Sequence, residues 1–179
     1  MLKSFLTPVT KRHVERRILR THPLHLFRII QDVDAYKSFL PLCTGSKILR
    51  RSPDGRSFDG ELTVGLPPFF TERYVSRVTV VPEKLTIRTE SIESKNFDSL
   101  KSRWTLGEVV DNSSLSRQNG VFFCDVDFEV EMTVSDPVVV TVLDQVLEQV
   151  AGKQVEAFEK RCQMIPIPQN LIRAISDKQ

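Results

Sequence analysis

The chain has 179 residues, of which 40% are hydrophobic and 27% charged, and its formal net charge is +2. This length suits one domain with a sizeable core, and this composition is typical of a folded globular protein rather than a disordered or membrane-spanning one. The three cysteines, Cys43, Cys124 and Cys162, lie far apart without metal-ligand spacing, which argues against a structural metal and favours a reducing compartment, either cytosol or mitochondrial matrix.

Positive charge is concentrated at the N-terminus, where the first 20 residues hold six basic side chains and only one acidic one, Glu15. The stretch 1–13, MLKSFLTPVTKRH, mixes Leu, Phe, Ser and Thr with Lys and Arg and contains no acidic residue. Such a composition fits either a short mitochondrial presequence or a disordered basic tail. We therefore expect a basic segment at 1–13, a folded domain at 14–165 and a C-terminal tail at 166–179.

The first elements are predicted to be a strand and two short helices. Residues 14–20 fit the strand. Pro23 then opens an apolar helical stretch to about Asp32, because proline is favoured in the first turn of a helix. A second short helix is expected to begin at Asp34 and to end before Pro41.

The middle of the chain is predicted to form strands joined by tight turns. The segments KILRRS and SFDGELTV flank Pro-Asp-Gly at 53–55, residue types that favour a tight reversal, so we expect a hairpin there. Further β-rich runs lie at 74–81, 85–91 and 100–110, and a polar turn is expected at 111–120.

The last strand and the helix after it carry the clearest patterns. Between Phe122 and Val134, apolar residues alternate with mostly acidic ones, and this period of two predicts one dry and one wet face. Asp136 is expected to cap a long helix that Pro137 opens and that ends near Ile165. Its apolar stripe would be Leu143, Leu147, Val150, Ala151, Val155, Phe158 and Cys162.

The order of these elements predicts an α+β fold, with a curved antiparallel sheet of about six to seven strands covered on one face by the long helix. One helix about 10 Å wide cannot fill the concave side of such a sheet, so either large side chains fill the remainder or a cavity stays open. A cavity between these elements would take an apolar ligand, because the dry faces offer few polar groups.

No catalytic constellation is evident in the sequence. The three histidines lie within the first 25 residues, and neither Ser76 nor Ser102 has a His or Lys partner at a recognisable spacing. The acidic row of the last strand is interpreted as a solvated face rather than a metal or acid–base site; its members are Asp125, Asp127, Glu129 and Glu131. The residues therefore indicate no catalytic or metal site, and no catalytic cofactor is expected.

Five phrases occur in order along 14–165: YKSFLPLC, ELTVGLPPFFTERYVSRV, LKSRWTL, CDVDFEVEM and AFEKRC. Together they resemble the mitochondrial coenzyme Q-binding proteins of the START-like, polyketide-cyclase-like superfamily. The resemblance implies a helix-grip fold, in which the sheet wraps around the long C-terminal helix with a lipid-sized tunnel between them. It also implies binding of ubiquinone (coenzyme Q) or its polyprenylated precursors without chemistry on the ligand.

The resemblance further implies a lipid carrier or chaperone on the matrix side of the mitochondrial inner membrane, which supports respiratory electron transport and coenzyme Q biosynthesis. Its expected partners are the quinone lipid, a membrane surface and coenzyme Q biosynthesis proteins, and no nucleic acid. Two alternatives stay open: a polyketide-cyclase-like enzyme that uses the same cavity, and a ribosome-associated module whose basic N-terminus touches RNA.

The positions that match the family are Tyr36, Phe39, Leu40, Pro41, Cys43, Leu62, Val64, Gly65, Tyr74, Ser76, Trp104, Phe158 and Arg161. Leu42 departs from the pattern, since many relatives have Trp there. From the resemblance and the dry faces we predict these ligand-binding residues: Tyr36, Phe39, Leu40, Leu62, Val64, Leu66, Phe69, Phe70, Trp104, Leu106, Phe128, Val130, Met132, Leu143, Leu147 and Val150. For the apolar members, the alternative is ordinary core packing.

The stretch VGLPPFF, residues 64–70, places apolar side chains where a loop is expected. Pro67 and Pro68 lack backbone donors, so the loop loses little by leaving water. Leu66, Phe69 and Phe70 would then form an apolar tip that either docks on a membrane interface or folds back to plug the cavity.

Overall fold

A computed structural model describes residues 7–66, 70–109 and 121–176, so the turn predicted at 111–120 lies outside the described residues. In chain order the elements are β1 (Val9–Leu19), α1 (Pro23–Gln31), a 3-10 helix (Val33–Ser38), β2 (Cys43–Arg51), β3 (Ser57–Leu66), β4 (Phe70–Val81), a 3-10 turn (Pro82–Lys84), β5 (Thr86–Glu93), β6 (Ser99–Glu108), β7 (Cys124–Val134), α2 (Pro137–Met164) and α3 (Gln169–Ser176).

The strands form one seven-stranded sheet in the order β1-β7-β6-β5-β4-β3-β2, with every neighbouring pair antiparallel. From β2 to β7 each strand pairs with the next along the chain, whereas β1 pairs with the last strand. Helix α1 and the 3-10 helix carry the chain from the β1 edge to the opposite edge, where β2 begins. The predicted α+β architecture with a long terminal helix is confirmed.

Side chains on the concave face of the sheet form the core with α2. In β7 the alternation confirms the predicted dry face: Cys124, Val126, Phe128 and Val134 are buried, and Val130 and Met132 partly so. The described members of the predicted α2 stripe are buried except for half-buried Val150. One end of the core is an aromatic cluster, in which the Trp104 ring centroid lies 4.3 Å from that of Phe128 and 5.1 Å from that of Phe158.

Strand β1 begins at Val9, five residues earlier than the strand expected at 14–20. Its basic side chains meet the acidic row of β7: Arg16 lies opposite Asp127, with Nε 3.0 Å from the carboxylate, and Arg12 Nε lies 2.7 Å from Glu129. Opposite charges on paired strands stabilise a sheet edge. The acidic row, which we interpreted as solvated, is therefore partly an ion-paired edge.

The C-terminal part of the chain differs from expectation in one respect. Residues 169–176, in the predicted tail, form the short helix α3, on which Ile172 is exposed. No helix in the described parts of the chain is long and apolar enough to cross a membrane.

The start of α2 is fixed by a side-chain cap. Asp136 accepts hydrogen bonds through Oδ1 from the backbone N–H of Val138 (2.8 Å) and Val139 (3.4 Å), and Pro137 occupies the first turn. Both features confirm the predicted start of the helix.

We expect Asp136→Ala to lower the free energy of unfolding by roughly 0.5–2 kcal/mol, because two amide groups lose their acceptor. The melting temperature, followed by circular dichroism, should fall by a few degrees. Asp136→Ser, which keeps a capping oxygen, is the control and should stay close to the parent. An unchanged melting temperature for the alanine variant would contradict the capping role.

Candidate functional site

A cavity of about 280 Å³ lies between the concave face of the sheet and α2. We name it the outer chamber. Seven of the predicted ligand-binding residues line it: Leu40, Leu62, Val64, Val130, Met132, Leu147 and Val150. Its wall also contains exposed Pro41, Leu42 and Asn96, so this chamber has a mouth at the surface.

A second cavity of about 100 Å³, the inner chamber, lies deeper in the fold. Five members of the predicted set line it: Tyr36, Trp104 and Phe128, together with Leu62 and Val130, which also line the outer chamber. None of its lining residues is exposed. The two chambers adjoin, because they share five lining residues: Leu62, Tyr74, Leu100, Val130 and Gln154. We call this shared wall the junction.

Two predicted ligand-binding residues line neither chamber. Leu106 is buried on the same face of β6 as Trp104, but it lies beyond the aromatic cluster that ends the cavity. Phe39 packs with its ring centroid 5.3 Å from that of Phe158, under the Arg161 guanidinium, and does not reach the cavity. Both pack in the core and line neither chamber, so contact of either residue with a ligand stays a prediction.

Four further predicted residues cannot be compared with the cavity. Phe69 and the side chains of Leu66, Phe70 and Leu143 lie outside the described part of the structure. The apolar tip of VGLPPFF therefore stays a prediction.

Several wall residues were missing from the predicted set, among them Phe97, Leu100, Val139 and Gln154. Gln154 follows Ala151 by three positions and precedes Phe158 by four, so helical spacing places it on the buried stripe of α2. The apolar pattern does not predict this position, because Gln154 is a polar residue that interrupts the stripe.

Buried polar groups near the mouth hold the wall together. The carboxylate of Glu72, a residue only 3% exposed, accepts hydrogen bonds from the backbone N–H of Lys95 (3.0 Å) and Asn96 (3.4 Å) and from the Asn96 side-chain amide. Glu72 therefore fixes the β5–β6 turn beside the outer chamber. The Tyr74 ring packs against Phe97 of that turn, with ring centroids 5.4 Å apart.

Burial disfavours the ionised form of the other titratable groups of the two chambers. Burial raises the pKa of the Tyr36 and Tyr74 hydroxyls and of the Cys43 thiol. The Tyr36 hydroxyl donates to the Ile30 carbonyl, and Cys43 Sγ lies 3.4 Å from the Gly45 carbonyl oxygen to which it donates. The arrangement is suited to holding an apolar ligand with a few hydrogen-bonding groups.

Leu42 forms part of the mouth in a strained backbone conformation. Its φ of 62° lies in the left-handed region, which costs a residue with a side chain on the order of 1 kcal/mol. Its carbonyl accepts a hydrogen bond from the Gly65 N–H at 2.8 Å, and its side chain is 41% exposed. The mouth is thus tied to the end of β3, where the VGLPPFF segment continues.

A larger concavity, about 590 Å³, lies on the opposite, outer face of the sheet. Its side chains are mostly charged and pair with one another: Arg103 Nη2 lies 2.6 Å from Glu129, and Lys101 Nζ lies 3.6 Å from Glu90. Such a self-neutralised charged surface does not suit a lipid.

Comparison with known families gives one match over most of the chain. The family described as polyketide cyclase / dehydrase and lipid transport matches residues 22–159.

Three curated relatives are similar to the chain. It is 31% identical over 147 residues to coenzyme Q-binding protein COQ10 homolog B, mitochondrial, of Xenopus laevis, covering 82% of this chain and 56% of that protein. It is 31% identical over 114 residues to the mitochondrial coenzyme Q-binding protein coq10 of Schizosaccharomyces pombe, covering 63% of this chain and 65% of that protein. It is 25% identical over 154 residues to the ribosome association toxin RatA of Pseudomonas aeruginosa, covering 86% of this chain and 96% of that protein. The chain thus spans less than two thirds of the length of the two coenzyme Q-binding proteins.

Two solved structures are similar in fold. A START superfamily protein from Mycobacterium smegmatis aligns with a TM-score of 0.71 at 17% identity, over 87% of this chain and 99% of that one. The Zhui aromatase/cyclase from Streptomyces sp. R1128 aligns with a TM-score of 0.70 at 12% identity, over 87% of this chain and 94% of that one. These likenesses confirm the predicted helix-grip fold and, at such identities, nothing beyond it.

Cys43 is a native reporter of the outer chamber, because Cys124 and Cys162 line neither chamber. We expect iodoacetamide to alkylate Cys43 much more slowly in the folded protein than in urea, since only the thiolate reacts and burial raises the thiol pKa. The rate should still be rising steeply above about pH 8.5, where an ordinary cysteine is half ionised.

The measurement is mass spectrometry of alkylated peptides across a pH series, with Cys43→Ser to assign the signal. Cys124, whose pKa burial raises to about 12, is the internal control and should react more slowly than Cys43. A Cys43 profile that levels off near the ordinary cysteine pKa would contradict its buried placement.

Proposed function

Since the chain belongs to the polyketide cyclase / dehydrase and lipid transport family, we propose that its cavity binds coenzyme Q (ubiquinone) or its polyprenylated precursors. The observation that carries the proposal is the apolar outer chamber between the sheet and α2. The similarity to relatives named coenzyme Q-binding proteins supports the choice of ligand.

The outer chamber matches an isoprenoid tail in chemistry and only partly in size. Its walls are mostly aliphatic side chains, and burial of apolar surface contributes about 25 cal/mol per Å². A volume of about 280 Å³ lies just below the range for small-ligand sites, which begins at roughly 300 Å³. A long polyprenyl tail therefore extends through the mouth beside Leu42, and this suits exchange at a membrane.

The proposed role is that of a carrier or chaperone rather than an enzyme. Catalysis by the cyclase-like alternative would need a titratable group free to act inside the cavity. Among the lining residues, Glu72 is engaged by the β5–β6 turn, and burial keeps the tyrosine and cysteine side chains neutral. These features favour binding without chemistry on the ligand.

The charge pattern of β1 favours a lipid over the ribosome-associated alternative. Three arginines of this basic strand form ion pairs within the protein: Arg12 with Glu129, Arg16 with Asp127 and Arg17 with Glu15. A strand whose charges are already neutralised offers fewer contacts to RNA phosphates.

The proposed site of action is the matrix side of the mitochondrial inner membrane, where the protein is peripheral. The apolar rim supports this: Leu42 is exposed at the mouth, and Val138, 75% exposed, adjoins the lining residue Val139. Residues 65–70, which include the end of β3 and the start of β4, add the apolar tip that contacts lipid. Ubiquinone is thereby delivered between its sites of synthesis and the respiratory enzymes, and coenzyme Q biosynthesis proteins are partners.

Replacement of Val130 by Asp tests the ligand site, because Val130 lines both chambers. A buried, unpaired carboxylate is unfavourable in an apolar cavity, so we expect the variant to lose most of its co-purifying lipid. The measurement is organic extraction and mass spectrometry of protein purified from a host that makes ubiquinone.

Ile92→Asp, on the exposed outer face of β5, is the matched control and should retain the lipid. Both variants must melt cooperatively for the comparison to count. A folded Val130→Asp protein with the parental quinone content would contradict the proposed site.

The membrane contact is tested by the double change Phe69→Ser and Phe70→Ser. If the two rings dock on a membrane, each contributes roughly 2 kcal/mol to the free energy of membrane binding by burial of its area, and nothing to the stability of the unbound protein. Their loss should then weaken vesicle binding and barely change the melting temperature. A plug would instead cost roughly 3–5 kcal/mol of stability per ring. Co-sedimentation with phosphatidylcholine–cardiolipin vesicles, beside a melting curve, distinguishes the two.

The control for this experiment is Ile18→Ser with Leu49→Ser, which removes exposed apolar side chains away from the mouth. Vesicle binding of this control should equal that of the parent. Persistent vesicle binding by the loop variant, together with a sharp drop in melting temperature, would assign the two phenylalanines to the core.

A further inference from the structure

Three polar side chains at or beside the junction have no hydrogen-bond partner among the described residues: Tyr74, Ser76 and Gln154. Ser76 is only 8% exposed and lines the inner chamber. Tyr74 precedes it by two residues on the same face of β4, and Gln154 faces both from α2. No polar side-chain atom packed away from a cavity lacks a partner among the described residues, so these three groups keep their hydrogen-bonding capacity toward the chamber that they line. They can therefore bond to a polar group that occupies the space between them.

The other polar groups of the inner chamber are already engaged. The Tyr36 hydroxyl donates to the Ile30 carbonyl, and the hydroxyls of Thr89 and Ser102 bond to each other at 2.7 Å. Free hydrogen-bonding capacity is therefore concentrated where the two chambers meet.

The wall of the outer chamber is apolar from the junction toward the start of α2. Met132 and Val134 on β7 face Val139 and Leu147 on α2 there. An occupant with one polar and one apolar end thus gains hydrogen bonds only when its polar end points inward. The opposite orientation would leave its polar end unpaired against aliphatic side chains.

The size of the inner chamber limits how much of the polar end can enter. At about 100 Å³ it is smaller than the roughly 150 Å³ apolar cavity that accepts a benzene ring. The inner chamber therefore has room for only one edge of a six-membered ring, and the rest of such a ring would lie at the junction.

We propose, building on the function proposed above, that the junction is the head-group subsite. There Ser76, Tyr74 and Gln154 donate hydrogen bonds to the carbonyl or ether oxygens of a quinone-like ring whose tail leaves through the outer chamber. The Gln154 amide also accepts hydrogen bonds, so the subsite takes hydroxylated aromatic precursors as well. The class of ligand is an oxygenated six-membered ring on an isoprenoid tail.

Two probes separate head-group binding from tail binding: decylubiquinone, which has the ring, and squalene, an isoprenoid hydrocarbon without one. Trp104 is the single tryptophan of the chain and lines the inner chamber, so quenching of its fluorescence reports a quinone ring nearby. Squalene affinity is measured by competition, as recovery of that fluorescence.

The variants are Ser76→Ala and Gln154→Leu, which remove the donors at nearly constant size, and Leu147→Ala, which alters only the apolar wall. We expect each of the first two to weaken decylubiquinone binding by on the order of tenfold and to leave squalene binding unchanged. Leu147→Ala should weaken both probes. The melting temperature of unliganded Ser76→Ala should not fall, because no internal hydrogen bond is lost.

The outcomes separate this inference from the function on which it rests. Failure of decylubiquinone to bind the parent protein would contradict the proposed function and the subsite together. Normal binding to the parent that neither polar substitution weakens would contradict the subsite alone, as would an equal loss of both probes in Ser76→Ala and Gln154→Leu.

Discussion

The architecture depends on a mismatch between a seven-stranded concave sheet and the long helix α2 that packs along it, with α1 filling only part of the remaining space. One helix is about 10 Å across and cannot fill that surface. Trp104, Phe128 and Phe158 fill one end by aromatic packing, and aliphatic side chains of β7 and α2 leave the other end open. The position of the aromatic cluster therefore sets the depth of the cavity, and Leu106 and Phe39 lie beyond it.

Electrostatic contacts hold the frame around this space. Arg12 and Arg16 bind the acidic row of β7 and secure the β1 edge, while Glu72 secures the turn beside the mouth. The charged outer concavity neutralises itself. The interior is left with neutral donors at the junction and apolar walls elsewhere, a division that favours binding and orientation of an amphipathic lipid.

Local patterns in the sequence were sufficient for most of the fold, because the period of two in β7, the Pro-Asp-Gly turn and the Asp136–Pro137 helix start are each encoded by neighbouring residues. The early start of β1 is not encoded locally. Arg12 pairs with Glu129, which lies 117 positions further along the chain, and a Lys- and Arg-rich segment alone does not indicate a strand. Gln154 was missed because a polar residue interrupts an apolar stripe. Phe39 and Leu106 line neither chamber, because the packing of the aromatic cluster decides which core residues face the cavity.

The central claim is that the lipid lies between the sheet and α2, and covalent mapping tests it most directly. A polyprenyl quinone with a photoreactive diazirine on its tail would be bound, irradiated and located by peptide mass spectrometry. The account predicts adducts at 130–132 of β7 and 147–150 of α2, lost on competition with unlabelled ubiquinone. Competable adducts on the outer concavity, at Arg77, Arg88 or Arg103, with none on α2, would contradict it.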